Sequence, residues 1–162
     1  MTKSDASASK RPALSLKGRA LKYLAAREHS RLELTRKLAP HAESPEQVEQ
    51  VLNELEGKGW LSAQRFAESL LHRKSARYGA ARIQSELAQH QLPADVAREA
   101  VQALRDTEFD RAHALWVRRY GEPPATPEDR ARQMRFLASR GFSGEVVRRV
   151  VRGDGLSLSE DD

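Results

Sequence analysis

The chain contains no cysteine among its 162 residues. Disulfide staples and thiolate metal sites are thereby excluded, and a reducing compartment is compatible. Long apolar runs are missing as well: none approaches the roughly 18 residues that span a bilayer, so no contact with a membrane is expected. The stretch from Met1 to Arg11 lacks the apolar core of a secretory signal, and residues 1–15 read as a disordered basic tail of a cytoplasmic protein. No run alternates polar and apolar residues with a period of two, so strands are not expected.

Catalytic constellations are also missing. The five histidines, His29, His41, His72, His90 and His113, fall on different predicted elements without metal-ligand spacing, and His113 lies on an apolar face where a packed core histidine is the expected role. There is no phosphate-binding G-x-G-x-x-G or P-loop. Gly57, Gly59, Gly79, Gly121 and Gly141 each fall at a predicted helix end, where capping accounts for them. Glu49, Glu54 and Glu56 read as the solvated face of one helix, and no serine stands in a G-x-S-x-G context. An enzyme is not expected, and neither a cofactor nor a metal is implied.

What the chain does have is a repeat. Leu87-Ala88, Pro93 and Asp95-Val96 recur fifty residues on as Leu137-Ala138, Ser143 and Glu145-Val146, with a looser copy at Leu38-Ala39, Ser44, Glu46 and Val48. Such recurrence marks stacked helical modules. The periodicity predicts an all-α tandem repeat of three three-helix modules over 16–60, 61–105 and 106–152, followed by a disordered acidic tail over 153–162. Ser44-Pro45-Glu46-Gln47, Ser62 and Thr126-Pro127-Glu128-Asp129 are helix starts with a capping side chain. Ala131, Met134, Leu137 and Ala138 are expected on the inner face of the eighth helix, and Val146, Val147, Val150 and Val151 on that of the ninth.

Charge is the second positive signal. The formal net charge is +5, and 31% of the residues are charged, which suits an anionic partner. No lysine follows Lys74, although arginine continues throughout; this reflects either genomic codon bias or selection for phosphate and carboxylate recognition. Arg73 and Arg77, Arg132 and Arg135, and Arg148 and Arg152 are spaced to share helical faces. Two readings stand: ordinary solvated faces, which Glu68 and Glu86 dilute, or an extended basic surface aligned by stacking of the modules. Trp60, Phe66, Tyr78, Trp116 and Tyr120 are candidates for stacking on bases; Phe66 and Trp116 fall on apolar stripes and are expected in the core instead.

The stretch Gly57-Lys58-Gly59-Trp60-Leu61-Ser62, then Arg65-Phe66-Ala67-Glu68-Ser69, and Gly79 through Ile83-Gln84-Ser85-Glu86-Leu87 resembles the RecX regulatory proteins. The pattern residues are Gly59, Trp60, Phe66, Ala67, Gly79, Ile83 and Leu87, and the resemblance covers about residues 16 to 152. Two departures stand out: Ser62-Ala63 where the family often has an acid, and Trp60 where tyrosine is common.

The resemblance implies an elongated, curved body and a monomeric modulator of the RecA recombinase, acting in DNA recombination, repair and the SOS response. It implies binding to the RecA filament on DNA, inhibition of its ATPase, strand-exchange and coprotease activities, and weak, sequence-independent binding to single- and double-stranded DNA. On that footing the expected RecA or DNA surface is Arg73, Lys74, Arg77 and Arg82 with Arg118, Arg119, Arg132 and Arg135. The rival expectation is a stand-alone DNA-binding protein of helix-turn-helix type. The helix after Pro93 opens with Ala94, Asp95, Val96 and Ala97, which are poor in base-reading donors. A pure protein scaffold is a third possibility, distinguished by the lack of salt-dependent affinity for nucleic acid.

Overall fold

A computed structural model of the protein describes residues 13–155. Most of the expected basic tail, 1–12, and residues 156–162 of the expected acidic tail lie outside the described residues. Nine α-helices and no strands are present among the described residues: α1 (Leu16–Ala26), α2 (Arg31–Leu38), α3 (Pro45–Gly57), α4 (Ala63–Lys74), α5 (Ala80–Ala88), α6 (Ala94–Asp106), α7 (Glu108–Arg119), α8 (Pro127–Ser139) and α9 (Gly144–Arg152). A single 3₁₀ turn, Ala39–His41, follows α2.

Six of the nine starts are set locally by a side chain that satisfies an otherwise orphaned amide; α5, α6 and α7 have no such cap. Ser44 Oγ accepts from Gln47 N, Ser62 Oγ from Arg65 N, Thr126 Oγ1 from Asp129 N and Ser143 Oγ from Val146 N. At α2 the arrangement is reciprocal: Ser30 Oγ accepts from Glu33 N while Glu33 Oε1 accepts from Ser30 N. Gly59, at φ +74°, turns the chain between α3 and α4 in the left-handed region that glycine tolerates.

The helices pack in threes. Helices α1, α2 and α3 contact one another, as do α4, α5 and α6, and α7, α8 and α9. Each trio has its own apolar cluster, centred on Leu34, Leu38, Leu52 and Leu55, on Leu70, Ile83, Leu87 and Leu104, and on Trp116, Leu137, Val147 and Val150. The repeat register has a direct structural meaning. Leu38, Leu87 and Leu137 all fall in the last turn of the middle helix of a trio and all are buried, each stabilising its module by about 1.5–3 kcal/mol through loss of apolar contact with water. Phe66 and Trp116 are buried as expected, and His113 packs between the rings of Phe109 and Trp116.

The inner face of α8 differs from expectation. Ala138 is exposed, and Gln133 is buried in its stead. Gln133 is tolerated there because its Oε1 accepts from Trp116 Nε1 at 2.8 Å and its Nε2 donates to Glu122 O at 3.3 Å.

Candidate functional site

The second and third trios are joined by a backbone contact. Gly79 N donates to Arg140 O at 2.8 Å. A β-carbon on Gly79 would lie 2.2 Å from both the carbonyl carbon and oxygen of Gly141. Gly79 therefore is not the left-handed cap that its position suggested: its φ is −78°, and glycine is required because two main chains meet there. At Gly141, φ +89°, a β-carbon would lie 2.5 Å from the β-carbon of Arg82.

Around this contact a guanidinium serves as a structural staple. Arg111, from α7, donates to the carbonyls of Ser75, Tyr78 and Leu104 at 2.8, 2.6 and 2.9 Å, and its Nε donates to Thr107 Oγ1. It thus satisfies carbonyls at the ends of α4 and α6 simultaneously. Burial pulls Arg111 below its ordinary pKa, and the nearby Glu108 carboxylate opposes that shift. Glu108, itself buried, accepts from Ser143 N at 2.7 Å just before α9.

The same contact gathers basic side chains. Arg77 stands two residues before Gly79 and Arg140 one before Gly141; with Arg118 and Arg119 from the end of α7 they line an open concavity floored by Ala76, Leu115 and Phe136. Aromatic rings back the charges: Arg119 lies over Tyr120 and Phe136, and Arg140 lies 5.0 Å from the Phe136 ring centre. Beside them Arg82 stacks at 4.0 Å over Tyr78, which Lys74 approaches at 5.6 Å. Guanidiniums held in this way are suited to bidentate binding of phosphate or carboxylate.

Not every expected residue joins this surface. Helix α4 ends at Lys74, so Arg77 stands in the following turn and does not extend the helical face of Arg73. Arg132 pairs with Asp129 at 3.4 Å beside a separate hollow formed with Tyr120 and the Pro123-Pro124 linker. Arg135 is exposed on α8. Arg140 was not anticipated; the signal for it was an Arg-Gly pair at the end of α8, which resembles Arg77-Tyr78-Gly79 but lacks the tyrosine. Of the pattern residues, Phe66, Ala67, Gly79, Ile83 and Leu87 are buried, whereas Trp60 is 46% exposed.

The ion pairs are unevenly distributed. Lys17 and Lys58 bind Glu54, Arg27 binds Glu33, Arg31 binds Glu56, and Arg65 of α4 reaches back to Glu28. By contrast Arg73, Arg77, Arg82, Arg118, Arg119, Arg135 and Arg140 have no carboxylate within 4.0 Å among the described residues. On the second and third trios Lys74, Arg132, Arg149 and Arg152 are paired, whereas the arginines gathered at the glycine contact are left without a carboxylate. No group of three potential metal-ligating residues occurs among the described residues, and no described helix is long and apolar enough to cross a membrane.

An all-α tandem repeat presenting an arginine-lined concavity defines the class of a helical-repeat protein. Its family follows from sequence comparison. Residues 17–55, 64–101 and 106–151 match the models of the first, second and third three-helix domains of RecX. The chain is 59% identical to the regulatory protein RecX of Leptothrix cholodnii, with 90% of this chain and 92% of that one aligned. It is 53% identical to that of Ralstonia nicotianae, over 94% and 96%. The fold is shared with the crystal structure of RecX from Lactobacillus salivarius, at TM-score 0.72 and 18% identity, covering 87% of this chain and 95% of that one. This chain belongs to the RecX family of regulatory proteins.

Proposed function

We propose that the protein binds the RecA–DNA nucleoprotein filament and inhibits its recombinase, ATPase and coprotease activities, acting through contacts of its second and third trios and without a cofactor. The observation that carries this reading is the uncompensated arginine surface around Arg77, Arg118, Arg119 and Arg140. Burying a lone guanidinium is costly, so such a surface favours an anionic partner that supplies the missing carboxylates or phosphates. Family membership supports RecA as that partner, since the relatives carry the name of a regulatory protein. Further contacts are proposed for Arg73, Lys74, Arg82, Arg132 and Arg135, outside the concavity, with Lys74 and Arg132 exchanging Glu86 and Asp129 for the partner.

The test is the DNA-dependent ATPase of preformed RecA filaments as the protein is titrated in, with excess free DNA as a control. Inhibition at substoichiometric protein that free DNA does not relieve is expected. The Arg73→Glu/Arg77→Glu double variant should lose inhibition with its helical content unchanged. Full inhibition by the folded double variant would overturn the assignment of the surface, and complete relief by free DNA would indicate simple competition for DNA. A sequence-reading helix-turn-helix is not favoured: α6 opens with Ala94, Asp95, Val96 and Ala97, and the first donor on it, Arg98, bonds its own helix at Ala94 O.

A further inference from the structure

Trp60 belongs to none of the three apolar clusters, and 46% of it is exposed, while Trp116, the chain's other tryptophan, is fully buried. An exposed tryptophan on a loose loop would carry little meaning, but this one is held rigidly. Trp60 N and Leu61 N both donate to Leu55 O, at 2.9 and 3.2 Å, and Leu61 is anchored in the first core. Gly59 makes the left-handed turn before it, and Gly59 O accepts from Arg65 Nη2 at 2.7 Å. The backbone that carries the ring is therefore already ordered before it meets a partner.

Its surroundings are cationic. Lys17 Nζ and Lys58 Nζ lie 5.8 and 5.2 Å from the indole centre. Both ammoniums bind the same oxygen, Glu54 Oε1, at 2.7 and 2.9 Å, so they stand side by side at the ring. Two ammoniums share one carboxylate, which leaves the group with one net positive charge and free N–H donors.

We infer that Trp60 is a stacking platform for an unpaired base of single-stranded nucleic acid, with Lys17 and Lys58 placed to meet the adjoining phosphates. A flat aromatic face beside lysines matches the two demands of a single strand: every base has a π-face, and every linkage carries a negative charge. A protein partner would gain from the indole as well, yet it would bring no recurring anion to the lysine pair. This site is on the first trio, apart from the arginine concavity, and it needs no RecA.

The burial of Trp116 makes the test direct. Intrinsic fluorescence is recorded while a single-stranded thymidine oligonucleotide is added to the full chain without RecA. Quenching that weakens with salt is expected in the wild type, and none in Trp60→Phe, where only buried Trp116 remains. Trp60→Ala should weaken oligonucleotide affinity at least about fivefold in fluorescence anisotropy, with unchanged circular dichroism. Unchanged fluorescence together with unchanged affinity of the alanine variant overturns the proposal. So does quenching by RecA filaments when the free oligonucleotide is silent, which assigns the indole to a protein contact. Because the oligonucleotide titration contains no RecA, its result is distinct from the ATPase test of the arginine surface.

Discussion

Gly79 and Gly141, 62 positions apart in the chain, meet backbone to backbone, with no room for a β-carbon on the former. Substituting Gly79→Ala must push the second and third trios apart or rotate them. It is expected to cost about 3 kcal/mol, at the upper end for an overpacked site. Gly57→Ala is the matched control: it sits at the end of α3, a β-carbon there meets nothing within 4 Å, and stability should be unchanged or slightly raised. Thermal unfolding followed by circular dichroism compares the two.

Arg111→Ala leaves the carbonyls of Ser75, Tyr78 and Leu104 without their donor. A loss of about 2–3 kcal/mol is expected in urea unfolding. Arg111→Lys should recover only part of it, since one ammonium cannot reproduce the planar fork that spans three carbonyls. Equal stability of the lysine variant and wild type would show that the charge alone matters.

Glu33 gives the fold an acid-sensitive point. Burial disfavours its charge, but the Arg27 guanidinium and the Ser30 amide outweigh that and hold its pKa at about 2, below the ordinary 4.5. A carboxylate with a depressed folded-state pKa stabilises above its unfolded value and loses that contribution as pH falls through the folded one. Glu33→Gln should therefore be less stable than wild type at neutral pH, by about 1 kcal/mol given its partial exposure to solvent. Between pH 4.5 and 2 its stability should fall less steeply than that of wild type. Parallel pH profiles would refute this.

Trp116 and Gln133 form a buried polar pair, so their substitutions should not add. Trp116→Phe leaves Gln133 Oε1 without its donor and is expected to cost about 2 kcal/mol. Adding Gln133→Leu removes the stranded acceptor, and the double variant should be more stable than the sum of the singles by at least about 0.5 kcal/mol. Denaturant midpoints of the four proteins close the cycle.

The features legible in the sequence are those decided within a few residues. Ser44, Ser62 and Thr126 cap the amides three positions on, and a cap of this kind needs no knowledge of the remaining chain. The recurrence of Leu38, Leu87 and Leu137 exposed the threefold repeat because each fills the same place in its own module. Gly79 was misread because its constraint comes from Gly141, 62 positions away, and a glycine before a helix looks like an ordinary cap. Ala138 and Gln133 lie on neighbouring tracks of α8, and hydrophobicity chose the wrong one because the hydrogen bond from Trp116 cannot be seen in a pattern. Arg111 is one arginine among many until the carbonyls it serves are brought to it. Arg140 joins the concavity through that same long-range contact.

The seams between trios are unequal, and this gives the molecule a preferred place to part under load. The first trio meets the second mainly through side chains: Ser30 Oγ with His90 Nδ1 at 2.8 Å, and Arg65 with Glu28 at 2.9 Å. The second and third share Thr107, which ends α6 and begins α7, together with the staple of Arg111 and the main-chain bond from Gly79. Pulled from its two ends, the chain is expected to yield first at Ser30 and His90. The first bundle then peels away while the other two stretch as one body, and Arg77 stays in register with Arg140 until the glycine seam itself tears.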